Sequence, residues 1–324
     1  EAVHLGDKFM LQFIKDGTVI PFMKIKGTVE LICIALVIGS IVAMCTKGLN
    51  WGLDFTGGIV VETEYTDGVD LNQVKDAYAK EGIVGTTQHF GSQKDVMVRV
   101  APKEGLDQQT VTNKVMVASR TIDKDVKLSR SEFVGPAVGE ELVESGILAI
   151  VVSLIAILAY VAFRFEWRMA TGAVISLAYD VIVVLGVFSV MQIEYDLTVL
   201  AAVLTVVGYS LNDKIVVFDR IRENAVNLPR NTSMYDVFNI SITETLSRTI
   251  ITSGTTLITV VSLMIFGGEM IYGFALALFV GIVFGTISSI YVASTWALIL
   301  GIKRENLVPV KVEKKESDGY ETMD

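Results

Sequence analysis

The sequence predicts a polytopic α-helical membrane protein: six transmembrane helices, with one external α+β domain of ferredoxin-like (βαββαβ) order between helices 1 and 2. Three observations carry this. Of 324 residues, 52% are hydrophobic, and they gather in runs near 20 residues long, the length a helix needs to cross roughly 30 Å of hydrocarbon. One long polar stretch, 47–144, interrupts the runs. Lysine and arginine crowd into alternate loops, the asymmetry that orients membrane helices. A net charge of −9 argues against nucleic acid as a partner.

The elements follow in order. Residues 1–26 are a polar segment with Lys8, Lys15, Lys24 and Lys26; no apolar core followed by a small-residue cleavage site marks them as a signal peptide. The first span covers 27–46 and holds Cys33 and Cys45. Twelve helical residues separate them by about 18 Å, too far for a disulfide. In the 47–144 domain, Ile59–Tyr65 is β-branched and strand-like. Asp70 starts and Gly82 ends a helix. Strands are predicted over 86–91 and 95–101, a helix over 106–123 with Val111, Val115 and Ala118 on one side, and a last strand over 126–134. The order β-α-β-β-α-β is the split βαβ pattern. His89 is its one histidine and it has no cysteine, so no metal site is expected.

Residues 145–302 carry five more apolar runs: Gly146–Phe163, Met169–Met191, Leu197–Phe218, Ile250–Phe266 and Phe274–Ile302. The last is long for one span and is expected to tilt or to pass beyond the membrane. Residues 303–324 read as a polar, disordered tail. Arg164 and Arg168, the group Lys214, Arg220, Arg222, Arg230 and Arg248, and the tail with Lys303 and Arg304 all fall on the side of the N-terminal lysines. Gln192–Asp196 and Gly267–Gly273 contain no Lys or Arg. Both termini are therefore expected in the cytoplasm and the 47–144 domain outside.

Ionisable groups within the spans single out a site, because such groups are costly in lipid and face a protein interior or a water cavity. Asn212 and Asp213 interrupt the fourth run, just ahead of Ile215-Val216-Val217-Phe218. Arg248 opens the fifth, and Thr252, Thr255 and Thr259 continue its face. Arg248 reaches the depth of Asp213 if the two helices touch. In the third, Gly172, Ser176 and Asp180 share a face, with Asp180 about 16 Å deep. In the sixth, Ala277, Gly281, Gly285, Ser289 and Ala293 make a ridge of small residues for close helix approach. The bland reading of Asp213 and Arg248 is a static pair that pins two helices. Such threonines are more often helix–helix contacts than ligands. Glu194 and Asp196, near an interface, read as solvated.

At this point the residues resemble a known family. Trp51-Gly52-Leu53-Asp54-Phe55-Thr56-Gly57-Gly58 is similar to the signature of the SecD/SecF protein-export family. Glu132-Phe133-Val134-Gly135-Pro136, Phe163–Arg168, Gly208–Asp213 running into Phe218–Asn224, and Arg248–Ser253 resemble its SecF half. The resemblance spans about Gly27 to Glu305 and implies an RND-like arrangement of the six helices. It implies a bacterial inner-membrane protein that pairs with SecD beside the SecYEG channel, with YajC often associated. Such a pair uses a proton or sodium gradient to help a preprotein finish crossing. Membrane lipids surround it, and neither a catalytic centre nor a cofactor beyond the coupling ion is implied. The family's coupling aspartate and arginine fall on Asp213 and Arg248, and the threonine one turn on falls on Thr252; Asn212 and Asp180 complete the candidate set. Lys214, directly after Asp213, stands where many relatives have a small polar residue, which adds a cation near the carboxylate and leaves the ion's identity open.

Three rival readings differ in class. An RND-like exporter of small molecules needs a substrate path in a large external domain; residues 47–144 are few for that, though a partner could supply the rest. An intramembrane aspartyl protease needs a carboxylate dyad sharing a proton, as Asp180 and Asp213 on successive spans suggest; but Ser210-Leu211-Asn212 lacks the glycines of that motif, and a nearby arginine holds a carboxylate ionised. A purely structural partner needs no ionisable residue at the depth of Asp213.

Overall fold

The computed structural model describes residues 18–102 and 107–307. The expected N-terminal lysines Lys8 and Lys15, the start of the 106–123 helix at Leu106, and the tail beyond 307 lie outside the described residues. A 3-10 turn, Phe22–Lys24, leads into α1 (Lys26–Lys47). There follow β1 (Asn50–Trp51), α2 (Leu53–Thr56), β2 (Gly58–Glu64), α3 (Leu71–Lys80), β3 (Thr86–Phe90), β4 (Ser92–Val100), α4 (Gln108–Arg120) and β5 (Lys127–Val134). Then come α5 (Pro136–Arg164), α6 (Trp167–Met191), β6 (Glu194–Tyr195), α7 (Leu197–Asn227), α8 (Met234–Phe266), α9 (Glu269–Ile290), α10 (Val292–Ile299) and α11 (Arg304–Leu307).

The polar domain is a four-stranded sheet in the order β3-β4-β2-β5, with every neighbouring pair antiparallel. With α3 and α4 as crossovers this is the ferredoxin-like connectivity. Asp70 caps α3 by accepting from Asn72 N at 3.0 Å, and Asp107 caps α4 by accepting from Thr110 N at 3.0 Å, each satisfying an orphan donor of a helix start. Val74, Tyr78, Val111, Val115 and Ala118 bury their helix faces against Ile59, Val61, Val96 and Val98. The opposite face of the sheet, with Val60 and Met97, closes on Leu53. Within the hairpin, β4 already begins at Ser92, right after Gly91 at φ 78°, so the turn is tighter than the 86–91 and 95–101 limits imply.

Among the described residues six helices are long and apolar enough to cross a membrane. α6 is buried on several sides, whereas α1 and α5 present Leu31, Ile34, Ile38, Leu148, Val152 and Ile155 to the outside. The small-residue ridge of α9 packs inside the bundle against α7: a Cβ on Gly285 would lie 3.0 Å from Ser210 Oγ, and one on Gly281 would strike the methyls of Val206. Helix limits depart from the apolar runs in several places, and α7 continues past Phe218 to Asn227. α5 starts about three turns before Gly146. α8 starts at Met234, because Ser233 caps it and its first turns bury Val237, Phe238 and Ile242. The long last run counts as one membrane-length stretch, Met270–Ile299. It is a helix led by Gly268 at φ 73° and broken at Tyr291, after which α10 continues.

Candidate functional site

Two places join charged groups into the architecture. The first links the polar domain to the bundle. β1 pairs in parallel with β6, the short segment between α6 and α7. Gly52 N donates to Tyr195 O at 2.8 Å, and a Cβ on Gly52 would sit 3.0 Å from Asp196 Cα. A Cβ on Gly58, at φ 117°, would fall 2.5 Å from Val100 O. Gly52 thus permits close backbone approach where the domain meets the bundle, and Gly58 does the same within the sheet of the domain. Across this joint Arg99 pairs with Glu194 at 2.6 Å, and its other terminal nitrogen donates to Trp51 O. Glu194 also accepts from Leu53 N at 3.2 Å, and Asp54 accepts from Leu197 N at 3.0 Å. Burial pushes the Glu194 carboxyl above its ordinary range, with Arg99 opposing; Glu62 is raised by burial likewise, with Arg130 opposing. Glu194 and Asp196 are therefore not simply solvated: one is a clamp, and the other caps α7 by accepting from Val199 N at 2.8 Å. A cleft of about 870 Å³ lies beside the clamp, lined by Glu62, His89, Arg130, Glu132 and Tyr272 among others.

The second place is inside the bundle. Asp180 on α6 is 0% exposed. It accepts from Ser210 Oγ at 2.5 Å and from Lys214 Nζ at 3.0 Å. Lys214 is also 0% exposed; its ammonium further contacts Ser210 Oγ, Ser210 O at 3.4 Å and Ser288 Oγ at 3.4 Å. The local sequence explains the arrangement. Ser210 and Lys214 are four residues apart, so both project from one face of α7, and Gly285 on α9 lets the helices close over them.

Asp213 points elsewhere although it is buried, at 4% exposure. Among the described residues it forms no ion pair with Arg248, which is exposed on α8. Asn212 is exposed and Thr252 half-buried. Thr252 donates to Arg248 O at 3.0 Å, Thr255 to Ile251 O at 2.9 Å and Thr259 to Thr255 O at 3.2 Å, all carbonyls of their own helix. The stripe of Arg248, Thr252, Thr255 and Thr259 lies on a surface of the bundle, shared with exposed Ile251 and Ile258. The fold pairs Asp180 with Lys214 and leaves Asp213 and Arg248 as neighbours that form no ion pair among the described residues. Lys214 was legible only as a neighbour of Asp213; the unused signal is that a lysine inside an apolar run needs a carboxylate, and Asp180 on the preceding helix had none.

Comparison with known proteins is consistent along the chain. Residues 114–303 match the family model for the protein export membrane protein SecD/SecF, C-terminal, and residues 42–69 match the SecD/SecF GG motif. A protein translocase subunit SecF from Vibrio alginolyticus is 51% identical over 311 residues, 95% of this chain and 98% of that protein. One from Escherichia coli O157:H7 is 48% identical over 87% of this chain and 88% of its own length. The crystal structure of SecDF from Thermus thermophilus, a translocon-associated membrane protein, superposes with a TM-score of 0.79 at 35% identity; it covers 88% of this chain, which spans 39% of that longer one. A second SecDF structure, in a super-membrane-facing form, gives a TM-score of 0.65 at 36% identity and likewise has 39% of its chain covered. Matched over most of its length by SecF subunits and over a minority of SecDF, the chain belongs to the SecD/SecF family of protein-export membrane proteins, in its SecF branch.

Proposed function

We propose that the chain is one half of a SecDF-type accessory complex, paired with SecD, that spends a proton or sodium gradient on the late stage of preprotein movement through SecYEG. The observation that carries this is Asp213: a carboxylate buried within a long apolar helix, one residue from exposed Asn212 and near the face that bears Arg248 and Thr252. An arginine left open to lipid is costly, so a partner helix that covers this face would turn the stripe into an enclosed polar path. Neutralising Asp213 there would change its attraction to Arg248 and bias the packing of the two halves. One charge moved through 100 mV yields about 2.3 kcal/mol, enough to shift a two-state equilibrium of that size.

The position of the basic loops supports cytoplasmic termini. Arg164 pairs with Asp219 at 2.7 Å, Arg168 donates to Leu300 O at 3.0 Å, and Arg304 donates to Leu228 and Pro229 carbonyls. These contacts gather the basic helix ends at one end of the bundle, while the polar domain and β6 sit together at the other. Movement of the polar domain would then reach a chain emerging outside, through the Arg99–Glu194 joint.

The test is Asp213→Asn in the complex with SecD. It is expected to assemble normally, because Asn is near in shape and cheaper in lipid, and to abolish the gradient-dependent part of translocation while sparing the ATP-driven part. Export by an assembled variant that still responds fully to an uncoupler would remove Asp213 from the mechanism.

A further inference from the structure

Around Lys214 the polar atoms are arranged as an oxygen site for one positive charge. The ammonium is surrounded by the Asp180 carboxylate at 3.0 Å, Ser210 O and Ser288 Oγ at 3.4 Å each, and Ser210 Oγ. These oxygens come from three helices, α6, α7 and α9, and every residue is between 0% and 2% exposed. Ser288 is held by donating to Gly285 O at 3.0 Å. An ammonium has three directional donors, fewer than the four oxygens around it. Asp180 Oδ1 and, one turn away, Ser176 Oγ are buried without a hydrogen-bond partner among the described residues. A spherical cation has no such directional limit. The site carries a single carboxylate, so it is balanced by a monovalent ion and not by a divalent one.

We propose that Asp180, Ser210 and Ser288 form a monovalent-cation site whose resident occupant is the tethered ammonium of Lys214. The lysine clamps three helices and keeps the site neutral, so no free ion visits it, and ion movement through the bundle is left to other groups. Withdrawing the side chain converts the clamp into a binding site for an alkali cation. The proposal stands on this geometry alone and does not depend on the role of Asp213.

The experiment uses the full chain purified with its partner subunit. Melting temperature is measured in choline, sodium and potassium chloride at constant ionic strength. The wild type is expected to be flat across the three salts. Lys214→Ser is expected to melt lower in choline and to rise by roughly 2 °C per tenfold increase in sodium or potassium once the site begins to fill; the two arms show which ion is preferred. Lys214→Met, whose side chain still fills the space, and Lys214→Ser combined with Asp180→Asn are expected to be flat. A Lys214→Ser protein indifferent to both alkali ions, or one whose response persists without Asp180, overturns the proposal. If Lys214→Ser cannot be purified in choline, recovery in alkali salts supports the site, and failure in every salt overturns it.

Discussion

Breaking the Asp180–Lys214 pair from one side is expected to cost more than removing both partners. The two groups are 3.0 Å apart and fully buried. At an effective dielectric of about 20, unit charges at that distance attract by about 5 kcal/mol, and the desolvation of two ions is of similar size. Lys214→Met alone strands a buried carboxylate, and a loss of about 3–5 kcal/mol follows, or about 4–7 °C in melting temperature for a chain of this size. Asp180→Leu alone strands the ammonium and is expected to fall by as much. The double variant leaves an apolar contact between α6 and α7; it should return to within about 1 kcal/mol of the wild type or exceed it. The assay is thermal unfolding of the detergent-solubilised complex, after matching membrane levels, read as a double-mutant cycle. Additive losses in the double variant would refute the reasoning, for they would mean that the two groups are not coupled.

Four further outcomes are expected. Cysteines placed singly at Lys80 and Arg230, in a chain without Cys33 and Cys45, should react with an impermeant thiol reagent from opposite sides; labelling from one side sinks the assignment of both termini to the cytoplasm. Gly285→Leu should lower stability by about 1–3 kcal/mol through overpacking against Ser210, whereas Gly39→Leu, with open space at its Cβ, should be nearly silent in the isolated chain; equal melting of the two refutes the internal packing of the ridge. Glu194, whose carboxyl is raised by burial, contributes stability that is full below its ordinary value of 4.5 and lost as pH rises through the raised one. Glu194→Gln should therefore flatten that part of the pH–stability curve, and an unchanged curve would show that Arg99 fully compensates the burial. Arg99→Met, by contrast, should loosen the domain joint at every pH above that window, read as faster hydrogen exchange at Leu53 and Tyr195; unchanged exchange would show that the β1–β6 pairing holds the joint alone.

Much of the fold is legible in the chain because its signals are local. A helix in lipid satisfies its own backbone, so each apolar run announces itself, and period-two and capping patterns do the same for β2, α3 and α4. Helix ends were less legible. The start of α8 depends on Ser233 and on amphipathic turns that carry no membrane signature, and the break at Tyr291 lies inside an unbroken apolar run. The sequence by itself determined that Asp180, Asp213 and Arg248 are ionisable groups in membrane-length helices and that each needs a partner. Only the tertiary structure decided that the partner of Asp180 is Lys214. Lys214 follows Asp213 in the chain, but successive residues on a helix point about 100° apart. The packing of α6 and α9 on α7 sends Lys214 to Asp180 and leaves Arg248 on the surface. Likewise Glu194 looks solvated in a short polar loop, until the fold of a distant domain carries Arg99 to it. Pairing across helices and domains is set by the angle and rotation of whole elements, which no spacing along one chain encodes.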